Sequence, residues 1–398
     1  MSTGRPPDAS PAKVAKCSGK EILPIVFTIS ISCLSTTMEV LLANLYFPTL
    51  SQSPIEQFPS TQHVRNAVCD GTYWAAIYAN HGATASLAAA LGFGAGTGST
   101  NLESLTFIWN GARYPAFSQG DILTNIEALV QVTRSAYYLH NASYVIGSVD
   151  LENEQVLNAF LDPIQATEIN LQSTNLGNRV FYNTISMVMP ILQQFFFIIA
   201  LNGISAQFRV FTRLPWAINA LFRAALATFY TFIAALCTTG YIWGFKEDWD
   251  VGASQFVLSW MAYWLYMKIN FLFFEIMTTF LPVSFIPFGV LTWVLVNVAS
   301  TISPFELNPT FFRWAYALPS HEAYQLLVQI WSNGCDNQSY RALPIMFTWW
   351  IVCVPIAVLC VRYRCITATA AERASETSAV KVQQAQKDSP DAGTSMSI

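Results

Sequence analysis

Six apolar runs stand out along the chain. The first covers 22–46, and five more follow at about 184–205, 220–244, 253–276, 281–300 and 343–362. A helix crossing a bilayer needs about 20 apolar residues, and each run is near that length. The stretch 47–183 differs in kind. It holds ten of the 24 acidic residues, frequent Gly, Ser and Asn, and no run long enough to span. The pattern predicts a polytopic α-helical membrane protein with about six transmembrane helices and an α+β extracytoplasmic domain between helices 1 and 2. Inside that domain, Asp70–Tyr78 has the aromatic and β-branched content of a strand. Asp121–His140 has helical spacing, with Ile122, Ile126, Leu129, Val130 and Thr133 on one side. The membrane part is 184–365, with 301–342 as an outer re-entrant or interfacial segment. Residues 1–21 and 366–398 are small and polar and predict disordered cytoplasmic tails. A cleaved signal peptide has an apolar core of about 7–15 residues, so the longer run 22–46 reads as a retained anchor.

Composition agrees. Only 11% of the 398 residues are charged, against about 25% in soluble domains. A net charge of −4 gives no reason to expect a nucleic-acid partner. Charge also predicts an orientation, because short loops rich in Lys and Arg stay in the cytoplasm. The N-terminal tail carries Arg5, Lys13, Lys16 and Lys20. Arg209 and Arg213 follow the second run, and Arg362 and Arg364 close the last. With six spans all of these fall on one side, so both termini are expected in the cytoplasm, in a plasma membrane or endomembrane. Two N-glycosylation sequons, at Asn141 and Asn337, then face outward, while Asn308 is excluded by the Pro that follows it. Of the eight Cys, only Cys69 and Cys335 lie well inside outer segments. They could pair in an oxidising compartment; two free thiols are the preferred reading.

Few residues suggest catalysis. The Gly-rich stretch from Gly92 to Thr100 lacks the GxxxxGK[ST] spacing and the Lys of a phosphate loop, and reads as a flexible loop. His321-Glu-Ala-Tyr324 lacks the second His of a zinc-binding HExxH, and His63, His81 and His140 form no motif. No nucleophile–base arrangement, metal site or cofactor is expected, and an enzyme is not predicted.

Polar groups within the apolar runs are the better lead. A charge at mid-helix costs about 2.5–3.5 kcal/mol on insertion scales, and each Leu or Phe returns about 0.3–0.6. Glu39 lies in the first run, Arg223 in the third, and Lys268, Asn270 and Glu275 in the fourth. Glu39, Lys268, Asn270 and Glu275 form a candidate intramembrane polar path. Lys268 and Glu275 are seven apart and share a helix face without touching. That face lines a cavity, or Lys268 pairs with Glu39, or Lys268 snorkels to the interface. Glu275 is expected near the cytoplasmic end, and Arg223 reads as a residue of the cytoplasmic interface. After Asn297 come Pro304, Pro309, Trp314 and Pro319, where proline breaks the helix and aromatics suit an interfacial belt.

Two stretches carry a family resemblance. Val68-Cys-Asp-Gly-Thr-Tyr-Trp-Ala-Ala-Ile77, with Gly71, Tyr73 and Trp74, is similar to an external-domain signature. Asn297 to Gly334, with Pro304, Trp314 and Pro319, is the more specific. Together they resemble the fungal nitrosoguanidine-resistance protein family, a domain-of-unknown-function group placed with ABC-type-2 permease domains and bacterial phage-infection proteins. The resemblance covers roughly 22–365. One departure stands out: about twenty residues separate Tyr46 from Val68, where the family has a longer stretch with a second half-motif. Either the external domain is trimmed or an exon is missing. The resemblance implies tolerance to toxic small molecules or a secondary metabolite made by a neighbouring gene cluster, through export. The chain has no nucleotide-binding domain, so export would need a partner ATPase or an ion gradient. A non-transporting scaffold or regulator, binding partners or lipids through its external domain, is the alternative, and a homo-oligomer is a candidate assembly for either.

Overall fold

The computed structural model describes residues 14–15, 53, 57–93, 102–148, 150, 152–173, 185–246, 249–302, 304–305 and 310–387. The first apolar run, with Glu39, lies outside the described residues, as do 94–100 of the Gly-rich stretch. The chain divides into two compact units. One gathers 1–187, 241–259 and 297–343; the other gathers 188–240, 260–296 and 344–398.

The first unit contains the predicted α+β domain. Helix α1 (Thr61–Cys69) is followed by strand β1 (Ala75–Ala79) and helix α2 (Ala83–Ala90). Strand β2 (Glu103–Trp109) leads through short turns into α3 (Thr124–Ile146) and α4 (Glu154–Leu161), and β3 (Gln165–Asn170) closes the sheet. β1 runs antiparallel to β2, with Ile77 opposite Phe107. β3 runs parallel to β2, with Ile108 opposite Ile169, a pairing that requires a crossover such as α3 and α4 supply. Val14–Ala15 adds a short parallel pairing to β1, so these two residues of the predicted disordered cytoplasmic tail belong instead to the sheet of this domain, because backbone pairing to a strand edge needs no apolar side chain. Leu105 through Trp109 are all buried, as befits a central strand covered on both faces. Val64 and Val68 of α1 pack with Ala76, Tyr78 and Ile108, and Phe58, Tyr73, Ile169 and Leu171 border this core. The strand lies at the end of the predicted stretch, because Asp70–Tyr73 is spent on a turn. The helical reading of Asp121–His140 matches α3, and Ile122, Ile126, Leu129, Val130 and Thr133 are all buried.

The later parts of this unit join the same body. Helix α9 (Pro319–Trp331) is buried over most of its length. Its Gln325 Nε2 donates to the Tyr114 hydroxyl at 2.9 Å, and Tyr324 meets the Tyr114 ring edge-on at 5.1 Å. Trp331 packs on Trp249 at 5.6 Å, and Gln255 Nε2 donates to the Ile330 carbonyl. The helix ends in a turn where Asn333 has φ +55° and Gly334 φ +96°. There Gly334 N–H returns to the Gln329 carbonyl at 2.8 Å, the bond that satisfies an end carbonyl in a Schellman-type cap.

Next in the chain, Cys335 is disulfide-bonded to Cys69. This corrects the preference for two free thiols: the α9 cap delivers Cys335 to the end of α1, which sequence distance conceals. Arg113 completes the seam. Its Nε lies 3.1 Å from Asp336 Oδ2, its Nη1 donates to the Gly71 carbonyl, and its guanidinium sits 3.9 Å over the Trp74 ring. Gly71 has φ +75°, and a Cβ there would lie 2.6 Å from Asp336 Oδ1.

The second unit is helical. It draws on α5 (Ser186–Gln207), α6 (Trp216–Gly244), α7 (Ala253–Phe280), α8 (Ile286–Ile302) and α10 (Ser339–Lys387). Aromatic contacts bind these helices. Phe197 stacks on Tyr230 at 3.9 Å, Phe273 stacks on Trp293 at 3.6 Å, and Trp260 Nε1 donates to the Phe232 carbonyl. The outward face stays apolar, with Phe196, Leu221, Phe229, Phe288 and Ile351 exposed. So much unpaired apolar surface is what a lipid-facing bundle presents.

Four described helices are long and apolar enough to cross a membrane: Ser186–Gln207, Trp216–Gly244, Val283–Ile302 and the stretch Ser339–Gln384. The predicted run 253–276 is also a helix, α7, but stands outside these four, its apolarity lowered by Lys268, Asn270, Glu275 and several Trp and Tyr residues. The tail departs from expectation. α10 continues to Lys387, so the predicted disorder from 366 is replaced by helix over 366–387. Its Ala, Glu, Lys and Gln are strong helix formers, and growth from an existing helix needs no new nucleus.

Two outcomes test the seam. A thiol-reactive polymer added to the unfolded, unreduced chain labels neither Cys69 nor Cys335, whereas Cys335→Ser exposes Cys69 to it. Gly71→Ala lowers the stability of the detergent-solubilised protein by about 1–3 kcal/mol, read as a drop in its thermal midpoint.

Candidate functional site

The polar residues of the second unit gather around Glu275. Arg223 of α6 approaches its Oε2 with Nη2 at 2.6 Å and Nε at 3.2 Å. The same guanidinium donates to Ser205 Oγ at 3.2 Å and Asn202 Oδ1 at 2.7 Å, both on α5. Arg364 of α10 comes within 3.4 Å of Glu275 Oε1, and donates to Asn202 Oδ1 at 2.9 Å and Thr278 Oγ1 at 2.7 Å. Four helices therefore meet in one ion-pair cluster, with α6 and α10 on the carboxylate and α5 on the guanidiniums. Arg223 and Glu275 are each only 2% exposed. Arg223 is thus a buried ion-pair partner of Glu275, a contact that its place in an apolar run did not reveal. Sequence spacing cannot report a partner 52 positions away.

A cavity of about 270 Å³ opens beside this cluster. α6 lines it with Ala220, Arg223, Ala224, Ala227, Thr228 and Thr231. α7 contributes Lys268, Phe271, Leu272 and Glu275. α10 contributes Trp350, Val354, Ala357, Val358 and Val361. Alanines on α6 hollow out the space, because their side chains end at Cβ. Lys268 Nζ lies 5.0 Å from the Trp264 ring and 5.6 Å from the Trp350 ring, distances at which ring quadrupoles attract a cation. Lys268 and Glu275 thus line one cavity, two helical turns apart.

The remaining candidate residues have other settings. Asn270 faces away from the cavity lining: its Oδ1 accepts from Trp293 Nε1 at 2.8 Å and its Nδ2 donates to the Tyr266 carbonyl. It ties α7 to α8. Glu39 lies outside the described residues. Asn297 Oδ1 accepts from the Ser320 backbone N–H at 3.3 Å, at the start of α9, and Pro319 is the first residue of that helix. There its missing N–H costs nothing. Pro304 is buried, and Trp314 is half exposed in the 3-10 turn Thr310–Ala317 beside exposed Phe311 and Phe312. Gly71 and Trp74 belong to the Arg113 seam, and Tyr73 meets Phe58 edge-on at 6.0 Å. These motif residues build the fold of the first unit. Asn337 is exposed, with Oδ1 accepting from Ser339 N–H and Oγ. Asn141 is partly buried within α3, its Nδ2 bonded to the Tyr137 carbonyl.

His321 and Glu322 lie in α9 of the first unit. The His321 Nδ1–H donates to the Ser300 carbonyl at 3.0 Å, and its ring stacks on Phe305 at 4.3 Å. Burial lowers its pKa to about 4. Arg341 Nε donates to both Glu322 carboxylate oxygens, at 3.1 and 3.3 Å. Burial still pushes that carboxyl up to about 7, with Arg341 pulling the other way. Among the described residues, no group of three His, Cys, Asp or Glu is placed to hold a metal ion.

A family model described as a protein of unknown function, DUF3533, matches residues 22–354. The chain belongs to the DUF3533 family. It is similar to an uncharacterized endoplasmic reticulum membrane protein of Saccharomyces cerevisiae, 30% identical over 112 residues. That match covers 27% of this chain, and the chain spans 22% of the length of that relative. No solved structure matches. The apolar helices and this relationship make the DUF3533 chain a membrane protein.

Glu275→Gln leaves two buried guanidiniums without their counter-charge and costs about 3–5 kcal/mol, seen as lost monodisperse protein in detergent. Adding Arg223→Met to it recovers part of the loss. The α9 pair makes a second prediction. Unfolded His321 takes a proton below about 6.5, but folded His321 only below about 4, so its contribution is lost as pH falls through that window. Folded Glu322 holds its proton up to about 7, so its contribution is lost as pH rises toward that value. The two slopes oppose each other between about 4.5 and 6.5. Glu322→Gln removes one of them, and the thermal midpoint of that variant falls steadily from pH 6.5 to 4 while the parent stays nearly level from this pair.

Proposed function

We propose that this protein is a transporter, or a transport-associated membrane protein, that confers tolerance to toxic small molecules or a secondary metabolite. The observation that carries the reading is the cavity of about 270 Å³ between α6, α7 and α10, with charged side chains on an otherwise apolar wall. Its size is near the lower edge of small-molecule sites, about 300 Å³. Charged residues inside a membrane domain are expensive and most often mark a path for substrate or ions. The resemblance to the nitrosoguanidine-resistance group and to ABC-type-2 permease domains supports the same reading. In this proposal the C-terminus is cytoplasmic, the stretches 47–183 and 301–342 face outward, and the sequons at Asn141 and Asn337 lie on that outer side of a plasma membrane or endomembrane, with Asn337 the exposed one. Energy comes from an ion gradient or a partner ATPase, since the Gly-rich stretch lacks the phosphate-loop pattern.

A second reading is a scaffold that binds partners or lipids through the first unit. Exposed Phe311, Phe312 and Trp314 favour it. Deletion and reconstitution separate the two. Cells lacking the gene become more sensitive to toxicants, and proteoliposomes containing the purified chain move a labelled toxicant. Ala227→Trp, which fills the cavity, cuts that movement at least tenfold. Unchanged sensitivity on deletion sinks the tolerance reading, and resistance without transport by the purified chain, alone or with a co-purifying ATPase, favours the scaffold.

A further inference from the structure

Among the described residues, the cavity and the cluster beside it are unbalanced in charge. Arg223 and Arg364 face the Glu275 carboxylate, and Lys268 is a third cation, on the cavity wall. Glu275 is occupied by the two arginines, and Asn202, Ser205 and Thr278 take up further guanidinium donors. Lys268 is different. Its described neighbours are the Trp264 and Trp350 rings, which hold the ammonium in place without neutralising it. Seven residues of α7 separate it from Glu275, roughly 10 Å of helix. Between those ends the wall is Ala224, Ala227, Val354, Ala357 and Val358. An ammonium on an apolar wall attracts an opposite charge more strongly than one in water, because the local dielectric is low.

We propose that this cavity binds an amphipathic organic anion, with its acid group on the Lys268 ammonium and its apolar body between α6 and α10. The two ends explain the selectivity. A cationic compound meets Lys268 and the arginines and is repelled. A neutral compound gains only the apolar wall. An anion gains both. The inference rests on the transport reading for what the binding serves, but binding is measured apart from movement.

The test uses the full-length protein in nanodiscs of neutral lipid and follows quenching of tryptophan fluorescence by three probes of one chain length: 10-bromodecanoate, 10-bromodecanol and 10-bromodecyltrimethylammonium. The expected result is saturable quenching by the carboxylate, at least tenfold tighter than by the alcohol, and none by the ammonium. Lys268→Met brings the carboxylate down to the level of the alcohol, and Lys268→Arg keeps the preference. Ala227→Trp abolishes saturable binding of both. A thermal melt confirms that each variant is folded, and should Lys268→Met fail to fold, Lys268→Gln takes its place with the same expected loss of the carboxylate preference. Equal binding of carboxylate and alcohol overturns the proposal, as does a preference that survives Lys268→Met. Carboxylate binding that emerges only in Glu39→Gln also overturns it, because Lys268 is then neutralised from within the chain. Carboxylate binding without movement in proteoliposomes leaves the inference standing and counts against transport.

Discussion

Glu275 sits among apolar helices with two guanidinium groups upon it. Taking a carboxylate or a guanidinium out of water costs several kcal/mol per ion, and the pair recovers this only when the remaining donors and acceptors are also met. Here Asn202 and Ser205 from α5 and Thr278 from α7 accept from the guanidiniums, and Glu275 Oε1 has the ionic contact with Arg364 at 3.4 Å. The consequence is positional. α5, α6, α7 and α10 cannot slide past one another without stranding a buried charge, so the apolar contacts between them keep one register. The cavity follows from that register. Alanines of α6 face valines and Trp350 of α10 across a gap that larger side chains would close.

The first unit is held by a different constraint. Cys335 and Asp336 come to the end of α1 because α9 stops in a left-handed turn, and Arg113 then bonds to both sides of the junction. Gly71 is required there because its backbone is left-handed and Asp336 leaves no room for a Cβ. The first motif and the residues directly after the second, far apart in sequence, therefore meet in one seam. The place of Gly71 and Trp74 in this seam is a structural role.

This seam also alters how the polar region should be divided. A continuous stretch from 47 to 183 suggests a self-contained domain. In the folded chain it shares its body with 241–259 and 297–343. α9 reads as an interfacial segment from its prolines and aromatics, yet most of it is buried against Tyr114 and Trp249. Aromatic side chains bury large areas wherever they find a partner, and hydropathy alone does not say whether that partner is lipid or protein.

The sequence by itself determined that this is a helical membrane protein with an α+β insert, since the length of an apolar run is a local property. It also determined the inward side of α3, which follows from helical spacing, and that Lys268 and Glu275 share a face. Tertiary structure decided the rest. Arg223 became a buried partner of Glu275 because α6 lies against α7, and Asn270 became a tie to Trp293 because α8 does. Cys69 met Cys335 across 266 positions. Each of these depends on which distant surfaces touch, and a linear pattern of apolar and polar residues records what must be buried but not against what.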